Sequence, residues 1–337
     1  MTKQNKLMQY VQMFFKDYLV IQKGLSVNTI KTYRDSLKLF LKFIAFGKNK
    51  AVSKVTLDDL DAESTVAFLQ GIEKSRGNSI ATRNLRLASL KTFFAYLISQ
   101  DIFRSGKYQQ IMAIPLKRSS KRLMEYLEVH EVEAITQSIN RQDSNGERDY
   151  VILNLLYNTG ARVSEICNLK VEQIRFESPP LITVVGKGQK LRQIPLWKET
   201  ATILHKYLAK KHVLDNPEAM IFLNARGKPL SRFGIRHIIQ KRAAKATCQC
   251  PSLAKKRIGP HTFRHTIAMH MLQSGVDLTV IKNWLGHANL STTHSYIEID
   301  LEMKRKALAA CNPVAKSYNL KQLIKENNDL INWLESL

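Results

Sequence analysis

The segment WLGHANLSTTHSY, from Trp284 to Tyr296, sets His287 and the phenol of Tyr296 nine residues apart, across what reads as a turn and a short helix. A buried tyrosine needs only a partner for its hydroxyl. A tyrosine that attacks an electrophile needs more. Its free pKa near ~10 leaves little phenolate at neutral pH, so a base and a cationic surround must activate it. Suitable groups occur at three other places. In TGARVSEICNL, Arg162 follows Gly160, where a helix can stop and restart, and Glu165 lies one turn on. In VVGKGQK, Lys187 sits at the tip of a glycine-flanked turn; glycines there permit a tight bend and close approach to a ligand. In GPHTFRHT, His261 and Arg264 are three apart at a helix start behind Pro260. That spacing puts both on one face, and the backbone amides of a helix N-terminus favour an anion.

Taken singly, each stretch has an ordinary structural reading. Arg162 and Glu165 form a surface ion pair worth ~0.3 kcal/mol. Lys187 is a solvated turn residue and His261 a satisfied helical histidine. Gly286 ends the helix VDLTVIKNWL in a left-handed cap, so His287 points off that end. Tyr296, on a helical segment begun by Ser291 or Thr292, is a core ring. The elements that carry these residues, and the rest of the chain, must decide between the two readings.

Those elements follow from periodicity. In SVNTIKTYRDSLKLFLKFI, capped at Ser26 or Asn28, the positions Ile30, Tyr33, Leu37, Phe40, Leu41 and Ile44 keep helical spacing. Lys31, Arg34, Lys38 and Lys42 lie largely off that stripe. SIATRNLRLASLKTFFAYLI repeats the design, with Ile80, Leu87, Leu90, Phe94 and Leu97 inward and Arg83, Arg86 and Lys91 outside. TLDDLDAESTVAFLQGI reads as a helix between them, which gives a small domain of four or five helices. From Ser105 to about Lys121 periodicity fades around Pro115, as in a basic linker. YVILNLLYNTGARVSEICNL is helical and broken at Thr159-Gly160, and LITVVGKGQKLRQIPL is a β-hairpin from Leu181–Val185 to Leu191–Leu196. The expected fold is mainly α with a small antiparallel β-sheet in the second domain. The expected divisions are 1–108 helical, 109–123 linker, 124–318 catalytic and 319–337 tail.

Composition narrows the partner. A formal charge of +24 on 337 residues points to a polyanion, most simply nucleic acid. An apolar run long enough to span a bilayer is absent from the sequence, and no cleavable secretion signal is read at the N-terminus; a cytosolic, nucleoid-associated protein is expected. Cys167, Cys248, Cys250 and Cys311 lack zinc-site spacing, so no metal is expected. Lys31, Arg34, Arg83, Arg86, Lys91 and Arg236 are the candidate DNA contacts, because cations on phosphates release counterions.

The combination is more specific than its parts. The pattern T-G-x-R-x-S-E, the hairpin G-K-G, H-x-x-R-H and L-G-H followed by a tyrosine resemble the tyrosine recombinase/integrase family over the whole chain. The likeness is greatest to its Xer-like branch and to integrases and transposases of bacterial mobile elements. The resemblance implies a two-domain, C-shaped DNA clamp and a catalytic set of Arg162, Lys187, His261, Arg264, His287 and Tyr296, supported by Glu165. It implies attack of Tyr296 on a duplex-DNA phosphodiester, a 3′-phosphotyrosyl intermediate and strand exchange through a Holliday junction. Two protomers would bind each site and four the synapse, with the C-terminal helix, rich in Leu320, Leu323, Ile324, Leu330, Ile331, Trp333 and Leu334, docking on a neighbour. No cofactor is required, since the covalent link conserves the bond energy. Two alternatives stand beside this: a DNA-binding scaffold without catalysis, and relaxation of the type IB topoisomerase kind.

Overall fold

The structure is a computed structural model that describes residues 5–118, 125–143, 145–186 and 190–286. The chain divides into two compact units, Met1–Arg122 and Leu123–Leu337.

The first unit is built from α1 (Lys6–Met13), continued by a π-helical stretch to Gln22, then α2 (Val27–Gly47), α3 (Ala62–Lys74), α4 (Ile80–Gln100) and α5 (Ser105–Met112). Short polar side chains start these helices: the Ser26 hydroxyl accepts from Thr29 N–H, the Asp61 carboxylate from Ser64 N–H and the Ser79 hydroxyl from Thr82 N–H. Such caps satisfy backbone donors that have no partner within the helix. The cap at Asp61 also explains why the expected single helix over 56–72 divides. Leu57–Asp59 forms a separate 3₁₀ turn in which the Asp59 carboxylate accepts from Thr56 N–H. Leu37, Phe40 and Ile44 of α2 meet Leu87, Leu90, Phe94 and Leu97 of α4 in one buried core, as their spacing requires. Ile80, expected inward, is 37% exposed.

The expected aperiodic stretch from Ser105 is corrected by α5. Tyr108 and Ile111, with Ile114 beyond the helix, belong to the first unit's core, so packing across the domain outweighs the weak local pattern. Arg83 is a second correction. It is buried rather than outside the stripe, and its guanidinium donates to Pro115 O and Asn84 Oδ1.

The second unit contains α6 (Val129–Gln137), α7 (Gly146–Thr159), α8 (Val163–Cys167), β1 (Ile174–Arg175), β2 (Leu181–Val185), β3 (Leu191–Pro195), α9 (Lys198–Lys210), α10 (Arg232–Ala246), α11 (Pro260–Gln273) and α12 (Leu278–Leu285). The sheet is antiparallel in the order β1-β2-β3, and Val185 pairs with Leu191 at the hairpin end. The short β1 is an addition to the expected hairpin. α7 and α9–α11 supply much of the apolar core, including Leu156, Leu204, Ile239 and Phe263. An ionic contact is buried with it: Arg242 of α10 donates to the Asp149 carboxylate of α7, with Arg242 Nη2 2.6 Å from Oδ2. None of the described helices is long and apolar enough to cross a membrane.

Candidate active site

α7 stops because Thr159 turns its hydroxyl back onto Leu155 O and accepts Ala161 N–H, while Gly160 takes a left-handed φ of 58°. A side chain at Gly160 has no room: a Cβ would lie 2.6 Å from Leu285 and 2.8 Å from Ile267. The chain therefore restarts as α8 with Arg162 at its N-cap. Glu165, one turn on, accepts Arg162 N–H at 2.7 Å and Arg162 Nη1 at 3.0 Å. The expected surface pair is in fact half buried: the Glu165 side chain is 4% exposed.

The same carboxylate is gripped from β3. Arg192 Nη1 and Nη2 reach the two Glu165 oxygens at 2.9 and 2.7 Å, the two-pronged geometry that guanidinium and carboxylate favour. Burial pushes the Glu165 carboxyl up, but the hydrogen bonds and charge of Arg192, with the hydrogen bonds of Arg162, outweigh it and hold the group below its ordinary value. Arg192 was not singled out from the sequence. The signal was its register: on β3 it shares a face with the buried Ile194 and lies opposite the buried Val184. Side chains alternate across a strand, so an arginine on the inward face calls for a carboxylate.

α12 ends at Gly286 in the left-handed cap that its glycine implied, with φ 65°. The last carbonyls of a helix lack intrahelical partners and carry the negative end of its dipole. Here three arginines take them in turn. Arg192 Nε donates to Trp284 O at 3.1 Å, Arg264 Nη2 to Leu285 O, and Arg162 Nη2 to Gly286 O at 3.1 Å. Arg264, 4% exposed, also donates from Nη1 to Gly160 O at 2.6 Å, which ties the α7 break to the α12 end.

Pro260 opens α11, as its ring prefers. His261 faces outward while Arg264, one turn on, faces in. Partial burial, then the charges of Arg264 and Arg162, push the His261 imidazole below its ordinary pKa, so the neutral form prevails at pH 7. His265, its ring centroid 6.5 Å from that of His261, is pushed down to about 4, chiefly by burial.

Arg162, Glu165 and Arg264 are thus brought together, and His261, exposed rather than on the inward face with Arg264, lies near enough to feel both arginine charges. Lys187, His287 and Tyr296 lie outside the described residues, as do Cys311 and the tail 319–337. The hairpin root is described. Gly186 N–H donates to Lys190 O at 2.8 Å, and a Cβ on Gly186 would lie 3.4 Å from Arg192 Nη1 and 3.9 Å from Arg162 Nη1. His261 also lines an open groove of about 1050 Å³ with Arg232, Phe233, Arg236, Lys256 and Arg257. Of the expected DNA contacts, Arg236, Lys31 and Arg34 are exposed, Arg86 and Lys91 are half buried, and Arg83 is not available. Arg34 pairs with Asp35. Burial and the nearby Arg76 lower the Arg86 pKa. Arg232 and Arg257 were not among the expected contacts.

Elsewhere, ligand atoms of His130, Glu131 and Cys250 lie within 4.8 Å of one another. The Glu131 oxygens already accept from Lys256, Ser252 and Glu128 N–H, so this carboxylate is committed to an ion pair.

The chain is thus a helical unit followed by an α-rich unit with a three-stranded antiparallel sheet, in which a buried carboxylate orders two arginines at one helix end. The chain belongs to the phage integrase family: that family's model matches residues 125–303, and the model of the phage integrase N-terminal SAM-like domain matches residues 13–101. It is 36% identical over 337 residues, the full length of both, to the putative integrase/recombinase y4rC of Sinorhizobium fredii. It is 31% identical over 308 residues, 90% of this chain and 96% of the relative, to tyrosine recombinase XerC of Thermodesulfovibrio yellowstonii. Among solved structures, the Tn1549 transposon integrase with transposon right-end DNA matches with a TM-score of 0.70 at 18% identity, covering 90% of this chain and 98% of that one. XerH recombinase bound to its difH substrate matches with a TM-score of 0.65 at 23% identity, covering 82% of this chain and 78% of that one.

Proposed function

We propose that Arg162 and Arg264 bind the two non-bridging oxygens of one DNA phosphodiester while Tyr296 attacks its phosphorus. The observation that carries this reading is that both guanidiniums are tethered at Leu285 and Gly286, immediately before His287 in the chain. Their planar forks suit a phosphate. Fixed in advance, they stabilise the charge that grows on those oxygens in the transition state without reorganising. His261, kept neutral, accepts the phenol proton or orients the phenol, and His287 donates to the phosphate. Lys187 protonates the departing 5′-oxygen. Tyr296 is left bonded to a 3′-phosphate, and the bond energy kept there lets a second strand's 5′-hydroxyl reverse the step on a new partner.

On this reading the substrate is a duplex recombination site held in part through the groove bearing Arg236. Two protomers occupy each site and four form the synapse, with the tail 319–337 passing to a neighbour. The division into a DNA-binding unit that includes α5 and a catalytic unit from about 124 serves this assembly, in the cytosol beside the nucleoid. The test is a nicked duplex that loses its 5′ fragment on cleavage, incubated with the chain and run under denaturing conditions. A protein–DNA adduct present with the wild type and absent with Tyr296→Phe is expected. Adduct formation by Tyr296→Phe excludes the assigned nucleophile.

A further inference from the structure

Arg192 belongs to no part of the reaction described so far, yet from β3 it reaches both α8 and the end of α12. It grips both oxygens of Glu165, caps Trp284 O at the end of α12, and stands on the strand that returns from the Lys187 hairpin. A Cβ on Gly286 would lie 3.2 Å from its Cδ, so the left-handed glycine and this side chain are fitted to each other.

The geometry points to Arg192 as a positioning residue for strand transfer, one that keeps Arg162 directed at the phosphate by occupying the carboxylate that would otherwise capture it. Glu165 is buried and ionised, and it must be satisfied. With Arg192 in place, Arg162 gives it one side-chain N–H, from Nη1, and keeps Nη2 on Gly286 O. Without Arg192, the Glu165 oxygens lose their donors from β3, and Arg162 is the guanidinium beside them that can turn and bind with both prongs. That pairing is strong, and it removes Arg162 from the α12 end. A lysine at 192 carries the charge but not the fork, so it fills one oxygen and leaves the other to Arg162.

The inference rests on the reading of Arg162 as a phosphate ligand, and the experiment separates the two. The substrate is a nicked duplex carrying a sequence that the wild-type chain traps from fragmented genomic DNA as a detergent-stable adduct. It is made once with an ordinary scissile phosphate and once with a methylphosphonate, in which a methyl group replaces a charged non-bridging oxygen. On the phosphate, Arg192→Lys is expected to cleave about 100-fold more slowly, the order of loss for a misaligned catalytic group. On the methylphosphonate, which asks less of Arg162, the deficit is expected to shrink to within about threefold. Cleavage of the phosphate at the wild-type rate overturns the proposal. So does an equal deficit on both substrates, the mark of general structural damage. If Arg192→Ala does not fold, the lysine variant decides. A parallel arm needs no recombination site: tungstate, a phosphate-like oxyanion, is expected to raise the melting temperature of the wild type, to do so less for Arg192→Lys and not at all for Arg162→Ala. An undiminished rise for Arg192→Lys also overturns the proposal. Absence of any wild-type adduct alongside the expected tungstate pattern counts against the reading of the reaction and leaves that of Arg192 standing.

Discussion

At the scale of single residues, the arginines and histidines of the site make separable contributions. On the proposed reading Arg264→Ala removes a donor from the position of developing charge, and the expected loss in cleavage rate is at least ~2.7 kcal/mol, the lower end for such a donor. Binding to the same duplex, measured by fluorescence anisotropy, is expected to fall far less, because other cations hold the backbone. Cleavage within tenfold of wild type would remove Arg264 from the transition state. His261 gives a pH signature. Burial and the two arginines push its pKa below the ordinary histidine value, so as the proposed base it stays available as pH falls. The acid limb of the cleavage profile is expected below pH 6.5. His265 titrates into stability in the same direction. Its folded pKa of about 4 lies under the unfolded ~6.5, so between those values the unfolded chain binds the proton and the folded one does not. Its contribution is whole above ~6.5 and is lost as pH falls toward about 4. Melting temperatures across that window are expected to fall less steeply for His265→Gln than for the wild type.

At the scale of elements, the site is two chain breaks held against each other. Gly160 ends α7 so that Arg162 can turn inward, and Gly286 ends α12 so that its carbonyls can receive arginines. Gly160→Ala places a methyl group in Leu285 and Ile267 at a left-handed φ. The strain and the overlap together are expected to cost at least ~2 kcal/mol in urea unfolding and to slow cleavage by moving the α12 end. Both breaks were legible in the sequence, since glycine after an apolar helical run has few other uses. So were the cap at Ser26, the helix start at Pro260, the β2–β3 hairpin, and the placing of Arg162, Glu165, His261 and Arg264 near element starts. What could not be read depends on contacts between distant segments. The fork of Arg192 on Glu165 spans 27 residues and the seating of Arg83 on Pro115 spans 32, and no local period records either. α5 was missed for the same reason: Tyr108 and Ile111 are helical because the first unit's core accepts them. The Asp149–Arg242 pair is another such contact, between α7 and α10. Asp149→Ala leaves a buried guanidinium without its partner and is expected to destabilise the second unit by ~3–5 kcal/mol; calorimetry of the intact chain checks it.

At the scale of the whole molecule, a net charge of +24 over 337 residues sets how the protein meets DNA before any base is read. Each phosphate neutralised by a lysine or arginine releases condensed counterions, so the logarithm of the association constant falls linearly with the logarithm of salt, by ~0.9 per contact. The structure divides the cations into those free to do this and those already committed. Arg236 is exposed on the groove beside His261. Arg34 is exposed and bound only to its neighbour Asp35 among the described ion pairs, an exchange that costs little because exposed pairs are weak. Arg83 is committed to Pro115 O inside the first unit. On a mixed-sequence duplex titrated between 50 and 300 mM salt, Arg236→Ala and Arg34→Ala are each expected to flatten the slope by about one. Arg83→Ala is expected to leave the slope unchanged while lowering the melting temperature, because its charge never reaches a phosphate. An unchanged slope for Arg236→Ala would mean that DNA does not run through the groove beside His261, and a flattened slope for Arg83→Ala would mean that its guanidinium leaves Pro115 O to meet a phosphate.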